Sequence, residues 1–235
     1  MREGSVPAAI GVAGGYKTIM SRTAAANFLL LDSGASFSEQ IVRDGQSDPN
    51  TKVLDQYDLP TYDLSGAGHK FLIIDEFIDQ ELMVDHKDRI QAFLDQGNIL
   101  FFAGHLFKRW IPGASLFVPK VIHHYLDYKV TVLEHPIFEG VLSDDITYTK
   151  GVAGFFCRGH HPLPEGAEVL LRLAGEEPIT YIDRKSSQGT IIVHAGRNLL
   201  NYRHQDNSAG RITEQFQRFL YEEHQALTQQ RRALA

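Results

Sequence analysis

Two apolar stretches end in residues able to do chemistry. Phe71-Leu-Ile-Ile runs into Asp75 and Glu76, and Ile99-Leu-Phe-Phe-Ala runs into Gly104 and His105. As neighbouring strands of a parallel sheet, they would open at their carboxyl ends onto one crevice, where such sheets bind ligands. A carboxylate beside an imidazole is a general acid–base pair or half of a metal site. The competing reading is that Asp75 caps the following turn and His105 packs on Trp110. A third stretch, Gly151-Val-Ala-Gly-Phe-Phe-Cys157-Arg158-Gly-His160-His161-Pro162, packs glycines, aromatics, a thiol, a guanidinium and two imidazoles together. Arg158 is suited to holding a carboxylate or phosphate bidentately. Cys157 beside it has either a lowered pKa or, as a buried thiol in a Gly-aromatic loop, no reactivity at all. His160 and His161 point to opposite faces of an extended chain, so a shared ion would need one of them with His105 or Glu76. No metal set or cofactor emerges from these residues.

The strand-like Thr190-Ile-Ile-Val-His194 runs into Ala-Gly-Arg197-Asn198, which places His194 and Arg197 near the same crevice. His194 also fits a satisfied core histidine, while His123, His124 and His135 read as structural or exposed. Gly11-Val-Ala-Gly-Gly-Tyr-Lys17-Thr18 approaches the phosphate-cradling G-x-x-x-x-G-K-[ST] loop. Tyr16 stands where that loop needs glycine, so a nucleotide triphosphatase is disfavoured.

The elements that must position these groups follow from hydrophobic period. Residues 1–25 read as an arm or loop, and 26–230 as one α/β domain. Asn27–Asp32, Lys70–Ile74, Asn98–Ala103 and Thr190–His194 are apolar without alternation, as strands buried on both faces are. Lys52–Asp55 is a weaker strand, and Phe37–Arg43 a short helix. Asp85–Gln96 carries an apolar stripe of Ile90, Phe93 and Leu94, with Gly97 as its C-cap. Strand, helix, glycine and strand make a right-handed βαβ unit. Tyr128–Leu133 alternates, and three short strands follow at Val169–Leu173, Ile179–Ile182 and Thr190–His194. Asp183–Gly189 turns between the last two. Ile212–Gln229 closes the domain as a helix, with Arg231–Ala235 a frayed tail.

Composition narrows the classes. The 235 residues are 43% hydrophobic, and 23 Lys and Arg against 29 Asp and Glu give a formal net charge of −6. No nucleic-acid partner is expected from that balance, and no run is long and apolar enough to predict a membrane span. The single cysteine fits a reducing compartment, and a cytoplasmic location is expected. Leu106-Phe-Lys-Arg-Trp110-Ile-Pro and Leu116-Phe-Val-Pro119 put apolar groups in an expected surface loop, a candidate homodimer surface or a cover for the sheet edge.

The strand ending in Asp75-Glu76, then Gln96-Gly-Asn-Ile-Leu-Phe-Phe-Ala-Gly-His105, His135-Pro-Ile-Phe-Glu-Gly-Val141 and Gly189-Thr-Ile-Ile-Val-His-Ala-Gly196 together resemble the class I glutamine amidotransferase-like superfamily. The similarity is strongest to its trehalose-utilisation-type branch and covers about Asn27 to Arg197. It implies a flavodoxin-like, doubly wound, mainly parallel sheet with a small β extension in the second half. The amidotransferases carry a nucleophilic cysteine after the strand matching Ile99–Ala103. Here Gly104-His105 stands there, and no late His-x-Glu pair is evident, so glutaminase chemistry is disfavoured. The resulting expectation is a non-amidotransferase relative binding a small polar, carbohydrate-related ligand. Glu76 and His105 would do any acid–base work, and Asp75, Gly104, Arg158 and His160 would line the ligand. Two alternatives stand beside it: a hydrolase or isomerase using Glu76 and His105, metal-assisted or not, and an inert scaffold.

Overall fold

A computed structural model describes residues 26–149 and 151–234. The N-terminal arm and the near-phosphate loop of Gly11–Thr18 lie outside the described residues. Twelve strands follow in chain order among those described. They are β1 (Phe28–Asp32), β2 (Thr51–Asp55), β3 (Phe71–Ile74), β4 (Ile99–Ala103), β5 (Val118–Pro119), β6 (Val130–Val132), β7 (Tyr148–Thr149), β8 (Val152–Ala153), β9 (Gly159–His160), β10 (Glu168–Leu173), β11 (Pro178–Asp183) and β12 (Thr190–His194). Helices are α1 (Glu39–Ser47), α2 (Gln80–Asp85), α3 (Lys87–Asp95), α4 (Ser143–Thr147) and α5 (Arg211–Leu234).

Eight strands form one sheet in the order β2-β1-β3-β4-β12-β11-β10-β6. The first five are mutually parallel, and β11, β10 and β6 extend the sheet by antiparallel pairing. The fold is therefore α/β, flavodoxin-like and doubly wound, with a small antiparallel extension built from the second half of the chain. The unalternating apolar runs have a direct cause: successive side chains enter two cores, one on each face. Phe28, Leu30, Phe71, Ile73, Ile99 and Phe101 pack against α1 and α5, with Ile41, Phe216 and Leu220. Leu29, Leu31, Leu72, Ile74, Leu100 and Phe102 pack on the opposite face with Met83, Ile90 and Phe93 of α2 and α3.

Several local expectations change. The helix expected over Asp85–Gln96 is α3, and an unexpected short helix precedes it: α2 starts at Gln80, capped by Asp79 accepting from the Glu81 and Leu82 amides, and ends before His86. Gly97 ends α3 at φ 82°, as its C-cap role requires. The helix expected at Phe37 opens with a 3-10 turn over Ser36–Ser38 and becomes α-helical at Glu39. The tail expected to fray is helical through Leu234. Arg231 lies against Gly97, and the cationic last turn suits the negative end of the helix. The apolar stretch after β4 is divided: Leu106, Trp110, Ile111 and Ala114 are buried and cover the sheet, while Phe107, Leu116 and Val118 are exposed.

Candidate functional site

Parallel strands β1, β3, β4 and β12 end side by side, and the order β2-β1-β3 reverses the winding direction between β1 and β3. Such a reversal leaves a crevice at the carboxyl ends. Because Phe71 and Ile73 face the α1/α5 core, Asp75 continues on that face, 1% exposed. Its carboxylate lies close to Ser38 Oγ, the Glu76 amide and Asn198 Nδ2, without a hydrogen bond of regular geometry to either side chain, and both of those side chains are buried as well. Burial raises the Asp75 carboxyl above its ordinary value, opposed by hydrogen bonding from Ser38, the Glu76 amide and Asn198 and by the Arg197 charge. A buried carboxylate is costly, and this one is held by a loosely aligned polar set of Ser38, Asn198 and the Glu76 amide.

Glu76 is half-buried on the other side of the strand end. Burial, together with the charge of Asp75, pushes its carboxyl up to about 7, and Arg197 pulls the other way. Gly104 lets the β4 end close on it: a Cβ there would lie 2.9 Å from both Cα and Cβ of Glu76, and the φ of 128° is glycine's own. The Gly104 amide donates to the His194 carbonyl at 2.9 Å, locking β4 to β12 beside the crevice. Arg197 itself makes no ion pair with a described residue, although its charge acts on both Asp75 and Glu76.

His105 stacks on Phe117, ring centroids 3.7 Å apart, and not on Trp110, whose ring packs edge-on against Phe102. Burial and the nearby Arg158 charge lower the His105 pKa. Arg158 is exposed, with Nε donating to the Gly154 carbonyl at 3.0 Å. His160 pairs through β9 with β5, and the charges acting on it are Glu177 and Lys120 rather than Asp75 or Glu76. The structure therefore gathers Asp75, Glu76 and Gly104 at one point, holds His105 and Arg158 within each other's field, and sets His160 toward a separate ion pair.

Cys157 is buried, its Sγ–H shared between the carbonyls of Gly159 at 2.9 Å and Ala195 at 3.0 Å, and burial pushes its thiol up to about 12. A thiol in that state is inert. His161 and His194 are buried and held neutral, both near 3; His161 Nε2 accepts from the Leu106 amide, and His194 Nδ1 pairs with Thr180 Oγ1 at 2.7 Å. Among the described residues no group of three His, Cys, Asp or Glu is placed to hold a metal ion. Hollows of about 390 Å³ along Lys87, Gln91 and Trp110, and of about 810 Å³ along His135, Glu139 and Glu168, are lined by no buried carboxylate. Sequence reasoning missed Ser38 and Asn198. Their spacing carries no motif, and only the crossing of β1 and β12 past β3 brings them to Asp75.

No helix of the described residues is long and apolar enough to cross a membrane. No protein-family model matches the chain, and no curated protein sequence is similar to it. Among solved structures it is similar to a cytoplasmic protein from Salmonella typhimurium LT2, with 12% identity and a TM-score of 0.50, covering 86% of this chain and 98% of that one. It is also similar to a candidate GMP synthase component from Thermoplasma acidophilum, with 15% identity and a TM-score of 0.49, covering 88% and 96%. At such identity the likeness to the Salmonella protein is one of fold.

Proposed function

We propose that this chain binds a small polar ligand at the carboxyl ends of β1, β3, β4 and β12, as a member of the class I glutamine amidotransferase-like superfamily without glutaminase chemistry. The carrying observation is the buried Asp75 carboxylate, only loosely hydrogen-bonded by Ser38 Oγ and Asn198 Nδ2, next to Glu76 and the guanidinium of Arg197. A hydroxyl or amide group binding beside this buried set meets the half-buried Glu76 and Arg197. Arg197 takes an anionic or hydroxyl-rich end, and Gly104 lets the β4 end pack closely on Glu76. Glutaminase chemistry is set aside because Gly104-His105 follows β4, where a nucleophile would stand, and Cys157 is a buried thiol in another segment. A compartment with reduced thiols suits that unpaired cysteine.

A second reading, acid–base catalysis, is favoured by one observation: a Glu76 carboxyl poised near neutral pH, where proton transfer in both directions is easiest. The polar-ligand reading is tested by soaking crystals of the protein with glycerol, glucose and citrate. Density for a probe bounded by Asp75, Asn198 and Arg197, lost in the Arg197→Ala protein, is the expected result. Probes that settle only elsewhere, or that ignore Arg197→Ala, overturn it.

A further inference from the structure

Strand β6 ends the eight-stranded sheet, separated from β12 and the carboxyl-end crevice by β10 and β11. Alternation along an antiparallel strand decides which of its backbone groups reach the neighbour. The Leu133 amide donates to the Leu170 carbonyl at 3.0 Å, and the Lys129 carbonyl accepts from the Ala174 amide at 2.9 Å. Lys129, Thr131 and Leu133 therefore turn toward β10, while Val130 and Val132 turn outward. Val130 is covered by α4: its amide donates to Thr147 Oγ1 at 3.0 Å, and its carbonyl accepts from Ser143 Oγ. Val132 has no such cover, and its outward amide and carbonyl bond to no described residue.

The hollow of about 810 Å³ opens along this uncovered length. Val132, Leu133 and Glu134 of the edge line it, together with Phe138, Glu139 and Val141 of the turn that follows. Val132, Phe138 and Val141 pack into the core below, so they give the hollow an apolar wall. Glu134 and Glu139 are exposed and form no ion pair with a described residue. Glu168, a third carboxylate of the lining, is held by Arg184 at 2.7 Å. His135 Nδ1 accepts from the Ile137 amide at 3.2 Å, and burial lowers its pKa, so it adds no charge at neutral pH. Arg211 stands at the Gly140 end, 3.8 Å from where a Cβ on that glycine would lie.

Free backbone groups on a sheet edge, with room beside them, are what an added strand requires. The acidic rim selects among strands. A second copy of this chain paired through β6 would set one acidic rim against another, and a neutral strand would leave both carboxylates unanswered. We propose that β6 accepts an extended segment of a partner protein in which cationic and apolar residues alternate. Its backbone pairs with the Val132 amide and carbonyl, its apolar side chains lie on Val132, Phe138 and Val141, and its cations answer Glu134 and Glu139. This docking edge is separate from the polar-ligand site, and neither depends on the other.

The test uses the full chain and three blocked hexapeptides. One alternates Lys and Val, the second alternates Glu and Val, and the third is the Lys-Val peptide with every backbone amide N-methylated. Fluorescence anisotropy measures affinity, and NMR hydrogen exchange locates the peptide. The Lys-Val peptide is expected to bind and to slow exchange of the Val132 amide. Its N-methylated form, with the same charge and no donors, is expected to bind about tenfold more weakly. The Glu-Val peptide is expected not to bind. Glu134→Gln combined with Glu139→Gln alters only exposed side chains. It is expected to weaken the Lys-Val peptide about 3–10-fold with the melting temperature unchanged. No binding of the Lys-Val peptide overturns the inference, as does equal binding of the Lys and Glu peptides. Affinity indifferent to N-methylation, or protection away from β6, shows charge attraction without an added strand and overturns it too. Val132 exchange that slows with protein concentration alone, alongside a dimer in sedimentation, makes a second copy the occupant and likewise overturns it.

Discussion

Replacing Glu76 with Gln tests the electrostatics of the candidate site directly. Burial and Asp75 raise the Glu76 carboxyl from 4.5 to about 7, so the folded protein holds this proton more tightly than the unfolded chain does. Stability from this group is complete below about pH 4.5, is lost as pH rises toward about 7, and stays lost above that. At about 1.4 kcal/mol per pH unit, the interval amounts to about 3 kcal/mol for a sealed site. Glu76 is partly open to water, and screening brings the figure to about 1.5 kcal/mol. Gln has the same shape and no charge to desolvate. Glu76→Gln is therefore expected to be more stable than the parent at about pH 8, by about 1.5 kcal/mol or about 3–6 °C in Tm, with that advantage gone at about pH 4. Urea denaturation of both proteins at the two pH values measures it. Because the charge of Asp75 contributes to the shift, part of the increment belongs to Asp75. An advantage independent of pH, or a Gln protein weaker than the parent at the higher pH, would refute the reasoning.

Gly104→Ala puts a Cβ 2.9 Å from the Glu76 backbone at a φ of 128°. It should cost about 2–4 kcal/mol and lower the urea midpoint accordingly; an unchanged midpoint would show that the two strand ends are not in contact. Cys157, buried and with its thiol pushed up to about 12, should resist iodoacetamide at about pH 8 in the native protein and react once urea unfolds it. Rapid alkylation of the folded chain would show the loop around it to be open.

Much of the architecture is legible in local pattern. Unalternating runs such as Phe71–Ile74 and Ile99–Ala103 announce strands covered on both faces, and strand–helix–Gly97–strand announces a parallel crossover. Helix boundaries are less legible. The earlier helix starting at Gln80 is set by Asp79 capping it, a hydrogen bond no period reveals. The loop after β4 shows the same limit: the sequence leaves it a partner surface or a cover for the sheet, and only the fold shows that Leu106, Trp110 and Ile111 lie over the sheet.

The sequence by itself determined that Asp75, Glu76, Gly104 and His105 sit at strand ends, because an apolar run stopped by a polar residue marks where a buried strand leaves the core. Only the tertiary structure decided their company. It set His105 on Phe117, turned His160 toward Lys120 and Glu177, buried Cys157 beyond reaction, and delivered Ser38, Arg197 and Asn198 from distant segments to the Asp75 carboxylate. The physical reason is that strand formation answers to neighbours along the chain, whereas desolvation and electrostatic fields answer to neighbours in space, and strand order assigns those.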